Sequence, residues 1–216
     1  MNVKTEVKEI PLLMKGEMVR ASLADLKTQT RRTRGLQEIN EFPDEWKFLS
    51  HNNGLYVFMH SDGTWVAIKC PYGRKGDHLW VRESFIDGIA VGGYAPDVDP
   101  DKEPDGATID IIYKADGEQS VTAWKPSIHM PRWACRLILE NVVDPIPQRL
   151  QEISHEDAIA EGAEYMPAAN LREQRLSVSQ IVFAGYWDSV NGKKYPRGNW
   201  ENNNWVWKID YKRLIN

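Results

Sequence analysis

Apolar and polar positions alternate in short runs along most of this chain. The first clear exception is GEMVRASLADLK, where Met18, Ala21, Leu23 and Leu26 fall on one stripe at helical spacing and predict a helix over 16–27. LYVFMH and TWVAIKC are β-rich runs around Ser61-Asp62-Gly63, which predicts a hairpin with glycine in its turn. HLWVRESF, TIDIIYK (within 107–114) and ACRLILENVV (134–143) read as further strands, and NWVWKIDYKRL reads as the last. A short helix starts at Ser154, whose spacing to Asp157 is that of a capping box with Asp in place of Glu or Gln, and Gly162 supplies the stop. A longer helix near 170–190 follows from Val178, Ile181, Val182 and Tyr186. GIAVGGYAPDVDPDKEPDG reads as a long loop.

Short strands dominate, helices are few, and no βαβ alternation appears. The expected class is α+β or mostly β: a mixed, closed or barrel-like sheet with a few peripheral helices and loop insertions. At 216 residues the chain is one decorated domain or two small ones, long enough to bury a core without disulfides. No run of 18 apolar residues occurs and the N-terminus lacks a signal-peptide core, so no membrane partner is expected. Cys70 and Cys135 form no CxxC pair and read as buried small residues in a reducing, cytoplasmic setting.

The net charge of -4 argues against a protein coated in positive charge for duplex binding. The charge is uneven, however. Residues 20–34 hold Arg20, Lys27, Arg31, Arg32 and Arg34 against Asp25 alone, while residues 97–118 hold eight acids against Lys102 and Lys114. The acidic stretch is expected to point away from the basic one.

P-loop, dinucleotide-binding, zincin and zinc-deaminase signatures are absent, and His51, His60, His78, His129 and His155 are scattered. No metal and no cofactor are expected. The densest polar cluster is Lys27-Thr28-Gln29-Thr30-Arg31-Arg32, directly after the first helix. Lys27, Thr30 and Arg34 line one side if the helical turn continues, and Arg31 and Arg32 offer fork-shaped donors for phosphate or carboxylate. A solvated basic loop is the plain alternative. Glu161 stands at the C-terminal end of a helix, against the dipole, which marks it as a candidate site residue or as an exposed, inconsequential glutamate. Among nine tryptophans, Trp80 and Trp207 read as core. Trp124, Trp133, Trp187, Trp200 and Trp205 lie near loops or element ends, where a ring such as Trp133 can stack on a base or simply pack.

GEMVRASLADLKTQTRR, GDHLWVRESF, RLQEISHEDAIAEG and WVWKIDY, in this order, resemble the ASCH domain, a PUA-like β-barrel. With PSIHMPRWACRLILE between them, the arrangement resembles the larger ASCH-domain proteins commonly encoded by bacteriophages and prophages. The resemblance implies a single domain over 1–216 with insertions near 35–72, 86–106 and 163–203, in a bacterium or a phage-infected bacterial cell. Small bacterial relatives remove the acyl group from N-acetylated cytidine, using a Lys-x-x-Thr pair and a distant Glu. Lys27, Thr30 and Glu161 match these three, and Arg32 matches the arginine that follows. Other relatives are implicated in RNA binding or cleavage. The implied partners are a nucleoside or single-stranded RNA. The readings left open are an amidohydrolase with Lys27 as base and Thr30 as nucleophile, a non-catalytic RNA or modified-base reader, and a phage protein that binds a host factor. Substrate contacts are assigned to Arg31, Arg32, Arg34 and Trp133. Because Lys27 ends an amphipathic helix, its loss is expected to cost about 1 kcal/mol or less.

Overall fold

The computed structural model describes residues 6–87, 111–117, 123–166, 176–192 and 198–214. Its strands are β1 (Glu9–Leu13), β2 (Gln29–Arg32), β3 (Trp46–Asn52), β4 (Leu55–His60), β5 (Trp65–Lys69), β6 (His78–Arg82), β7 (Phe85–Asp87), β8 (Ile111–Tyr113), β9 (Ile138–Asn141), β10 (Ile146–Arg149) and β11 (Trp205–Leu214). The helices are α1 (Gly16–Leu23), α2 (His155–Ala160) and α3 (Val178–Asn191). The result is a mixed α/β chain, mostly sheet, as the short alternating runs require. Among the described residues no helix is long and apolar enough to cross a membrane.

The main sheet runs β1-β6-β9-β11-β10, with β2 added on β11. β11 holds it together. Its first part, Trp205 to Asp210, lies between β10 and β2, and Tyr211 to Leu214 pair with β9. One strand shared between two sets of neighbours must twist along its length, and the sheet curls into a half-barrel. Both ends of the strand path carry a proline, Pro11 in β1 and Pro147 in β10, where a missing N–H breaks no internal ladder.

The hairpin expected around Ser61-Asp62-Gly63 is present as β4 and β5, with Gly63 at φ 90 and Asp62 Oδ1 accepting from the Thr64 backbone N–H at 2.8 Å. β3 pairs on its other side to make a three-stranded sheet. That sheet is part of the core: Tyr56 meets Trp207 edge-on at 4.7 Å and Phe58 meets Trp205 at 5.2 Å. Trp207 is fully buried and Trp187, Trp200 and Trp205 are buried with it, so three rings expected near loops belong to the core. Trp80 departs the other way: it is half-buried, with the Arg82 and Arg132 guanidinium groups over its ring. Cys70 and Cys135 are half-buried free thiols, and burial pushes the Cys70 thiol up to about 12.

The first helix is shorter than its apolar stripe. It ends at Leu23, and the chain reverses through Asp25, which adopts φ 57 and pairs with Arg213 at 2.8 and 2.9 Å. The polar cluster that follows is therefore a strand, β2, and not a continued turn or a solvated loop: Gln29, Thr30 and Arg31 are all buried. α2 begins at Ser154 as expected, with its hydroxyl accepting from the Asp157 N–H at 3.0 Å. α3 takes its start from a capping box of Ser177 and Gln180. The long loop, residues 107–110 of the expected strand, and 97–110 and 118 of the acidic stretch lie outside the described residues. Within that stretch, Asp116 pairs with Arg136 at 2.7 Å.

Trp207→Ala removes the largest fully buried side chain from the strand that joins both halves of the sheet. A loss of about 3–5 kcal/mol is expected, read as a lowered urea midpoint.

Candidate functional site

Lys27 leads out of the α1 reversal into β2, and its side chain is 2% exposed. Its Nζ donates to the Gln29 carbonyl at 2.7 Å, the Glu161 carbonyl at 2.8 Å and the Glu161 carboxylate Oε2 at 2.6 Å. Glu161 is the residue after α2, and Gly162 follows at φ 84. A Cβ at 162 would stand 3.4 Å from Lys27 Cβ and 3.5 Å from Ala21 Cβ, in a conformation that L residues avoid. The positive φ is what calls for glycine here, and it ends α2 beside Lys27.

Burial pushes the Lys27 ammonium below the ordinary lysine range; the Glu161 carboxylate opposes this, and Arg32 and Arg31 add to it. Two proton placements fit the same contacts. As ammonium, Lys27 donates to all three oxygens. As amine, it donates to the two carbonyls and accepts the proton of a neutral Glu161.

Arg31 completes the cluster from the next strand position. Its Nη1 donates to Gln29 Oε1 at 2.6 Å and Glu161 Oε1 at 3.2 Å, and its Nη2 donates to Gln148 Oε1 at 2.9 Å and Asp157 Oδ2 at 2.7 Å. Asp157 Oδ1 accepts from Lys208 Nζ at 3.0 Å and Gln29 Nε2 at 3.1 Å, and Gln29 Nε2 also reaches Asp210 at 2.6 Å. The Ser154–Asp157 spacing is therefore half a capping box. The backbone N–H of Asp157 is capped, while its carboxylate turns into the cluster. Burial raises the Asp157 carboxyl, but Lys208, Gln29 and Arg31 outweigh it and hold it below the usual range. Lys27, Arg31 and Lys208 balance Glu161, Asp157 and Asp210, so moving a proton between Lys27 and Glu161 leaves the cluster neutral.

This cluster floors a cavity of about 480 Å³. That size lies within the range of roughly 300–1,000 Å³ typical of small-molecule pockets. Lys27, Thr30, Arg31 and Glu161 form the polar floor, Met14 and Met18 an apolar wall, and Phe183, Tyr186 and Trp187 of α3 an aromatic wall. Lys15, Arg32 and Arg34 also border it. No described residue hydrogen-bonds the Thr30 hydroxyl. Burial pushes the Tyr186 phenol up to about 12, so it faces the cavity as a neutral O–H. Among the described residues no group of three or more His, Cys, Asp or Glu is placed to hold a metal ion.

The structure brings Lys27, Thr30, Arg31, Arg32, Arg34 and Glu161 to one cavity, though Glu161 is 134 positions from Lys27. It does not bring Trp133 there: that ring packs with Phe85, Met130 and Ala134. Nor is Arg31 an open phosphate donor, because its side chain is fully buried and both its terminal nitrogens are engaged. Gln29, Lys15, Phe183 and Tyr186 carry no site signal of their own in the sequence, whereas Trp187 is one of the five rings expected near loops and does line the cavity. The one signal for Asp157 is an aspartate at a capping-box position that favours Glu. No family model, curated protein or solved structure matches this chain.

A small stability effect for Lys27 loss does not survive this geometry. Lys27→Ala leaves a buried carboxylate and two carbonyls without their donor, and a loss of about 3–5 kcal/mol is expected by chemical denaturation. Replacing Lys27 and Glu161 together with Met should cost less than the sum of the single changes, because the pair is removed whole.

Asp157 gives a pH test. Its folded pKa lies below its unfolded value, so its contribution is present above about pH 4 and is lost as pH falls through the depressed folded value. Asp157→Asn should flatten that part of the urea-midpoint profile below pH 4. An unchanged acid slope would mean that other carboxylates carry it.

Proposed function

We propose that this chain is an ASCH-type protein with a PUA-like half-barrel, whose cavity binds a nucleobase or nucleoside and hydrolyses the amide of N-acylated cytidine. One observation carries the reading: a buried Lys27–Glu161 pair at 2.6 Å borders the same cavity as the Thr30 hydroxyl. The resemblance supplies the substrate class, and the aromatic wall from α3 suits a flat base.

In this reading the acyl carbon sits at Thr30. With the pair in its neutral form, Lys27 exchanges its contact with Glu161 for the Thr30 hydroxyl and takes its proton as the Oγ–C bond forms. The C–N bond to the base breaks, and Glu161 gives its proton to the leaving amine. Water then attacks the threonine ester, giving a proton to Glu161 as its oxygen bonds the acyl carbon; the Oγ–C bond breaks, Lys27 returns its proton to Oγ, and the carboxylic acid leaves with the pair restored. Arg31 fixes the Glu161 carboxylate throughout.

A non-catalytic base reader is the second reading, and a specific observation favours it. All three partners of Lys27 Nζ are protein oxygens, so in the resting protein no lone pair faces Thr30: the ammonium has none, and the amine's is engaged by Glu161.

Incubation with a panel of acylated nucleosides and short RNAs, followed by mass spectrometry, separates the two. Thr30→Ser should keep more turnover than Thr30→Ala, since the hydroxyl is the group required. Lys27→Arg should lose nearly all turnover, because a guanidinium does not give up its proton near neutral pH. The reaction needs the pair with its one shared proton, so the wild-type rate should fall as pH rises through the depressed lysine value and that proton is lost. Binding without any product from the wild type supports the reader and rejects the hydrolase.

A further inference from the structure

The charges around the cavity are not all used by the protein. Of the cations bordering it, Lys27 and Arg31 are paired with Glu161 and Asp157. Lys15, Arg32 and Arg34 border the same cavity, and none of them forms an ion pair with a carboxylate among the described residues. Lys15 and Arg34 are exposed, and Lys15 Nζ stands 5.6 Å from the Tyr186 ring centre. Arg32 Nη2 donates to the Leu13 carbonyl at 2.9 Å, which fixes its guanidinium in place. Glu17, in the first turn of α1, acts on the Tyr186 phenol but pairs with none of the three. The floor charges are paired within the protein, then, while the rim carries three cations with no carboxylate partner among the described residues: Lys15 just before α1, Arg32 at the end of β2 and Arg34 just after it.

We infer that the ligand carries a phosphate monoester held at this rim by Lys15, Arg32 and Arg34, so that the substrate class is a nucleoside 5′-monophosphate in preference to a free nucleoside. This rests on the reading of the cavity as a nucleobase site. A phosphate monoester bears a charge of about -1.5 to -2 at pH 7, which three cations at one mouth neutralise. A pre-placed guanidinium donates to phosphate oxygens as a planar fork, and the neutral Tyr186 O–H adds a donor beside it. The arrangement fits one terminal phosphate better than a nucleic-acid strand. A strand needs a positive groove that follows successive phosphates, and the chain as a whole is acidic, at -4.

Titration calorimetry tests the inference with cytidine, cytidine 5′-monophosphate, ribose 5-phosphate, inorganic phosphate and a short RNA without terminal phosphate. The monophosphate should bind about ten-fold tighter than cytidine at low salt, and this preference should shrink as salt rises. Arg34→Ala and Lys15→Ala, both at exposed positions that leave the core intact, should each cut the preference about five-fold. Equal affinity for cytidine and its monophosphate overturns the inference, as does a preference that neither substitution changes. Tighter binding of the RNA than of the monophosphate overturns it in favour of a phosphodiester chain. Binding of ribose 5-phosphate with none of cytidine keeps the phosphate rim and rejects the nucleobase reading on which the substrate class rests.

Discussion

The contact on which the rest of the site depends is the buried Lys27–Glu161 pair, because charges removed from water must be met almost completely or not placed there at all. Several features that look unrelated follow from that demand. α1 stops short and turns back through a left-handed aspartate, which drops Lys27 inward. Gly162 takes the left-handed conformation that ends α2 beside Lys27. Two backbone carbonyls, one from β2 and one from the end of α2, take up the remaining ammonium hydrogens. Arg31 then holds the second carboxylate oxygen. Weakening any of these would leave a buried charge unmet, so the two distant segments are fixed against each other as one unit.

How far this was legible in the sequence depends on whether the signal was local. The hairpin at Gly63, the Ser154 cap and the Val178–Tyr186 stripe are short-range patterns, and they mark real elements. β1, β3 and β10 were missed because a four- to seven-residue strand interrupted by proline or flanked by turns carries little periodicity. β2 was misread for a different reason. QTRR is polar at every position, and a polar run ordinarily lies in solvent. It is buried here because its partners come from far along the chain: Glu161, Asp157, Gln148 and Lys208. No local pattern contains that information.

For the site residues, chemical oddity succeeded where periodicity failed. Glu161 opposes the dipole of its own helix, and Lys27 follows an amphipathic helix with nothing local to pair with. Each is unfavourable alone, and together they cancel. Trp133 shows the limit of the same reasoning. A tryptophan near a loop offers a ring to any ligand, but only the packed structure shows whether a cavity lies beside it. The aromatic wall is formed by Phe183, Tyr186 and Trp187 on α3, whose buried stripe also reads as ordinary core spacing.

The division between floor and rim sets what this cavity can discriminate. A floor whose charges are matched within the protein gains little from a ligand charge, and any new charge placed against it must displace a hydrogen bond already made. It selects instead by shape and by neutral donors and acceptors, under an apolar and an aromatic wall. The rim has the opposite character. Lys15 and Arg34 are exposed to water there, so they cost the folded protein little, and on the proposed reading they add affinity for negative charge that salt can screen. On the reading proposed above, a ligand that satisfies both ends is flat and uncharged on one side and anionic on the other. The cavity lies between α1 and α3, so α3 supplies its aromatic side, while β2 and the end of α2 supply its buried charges.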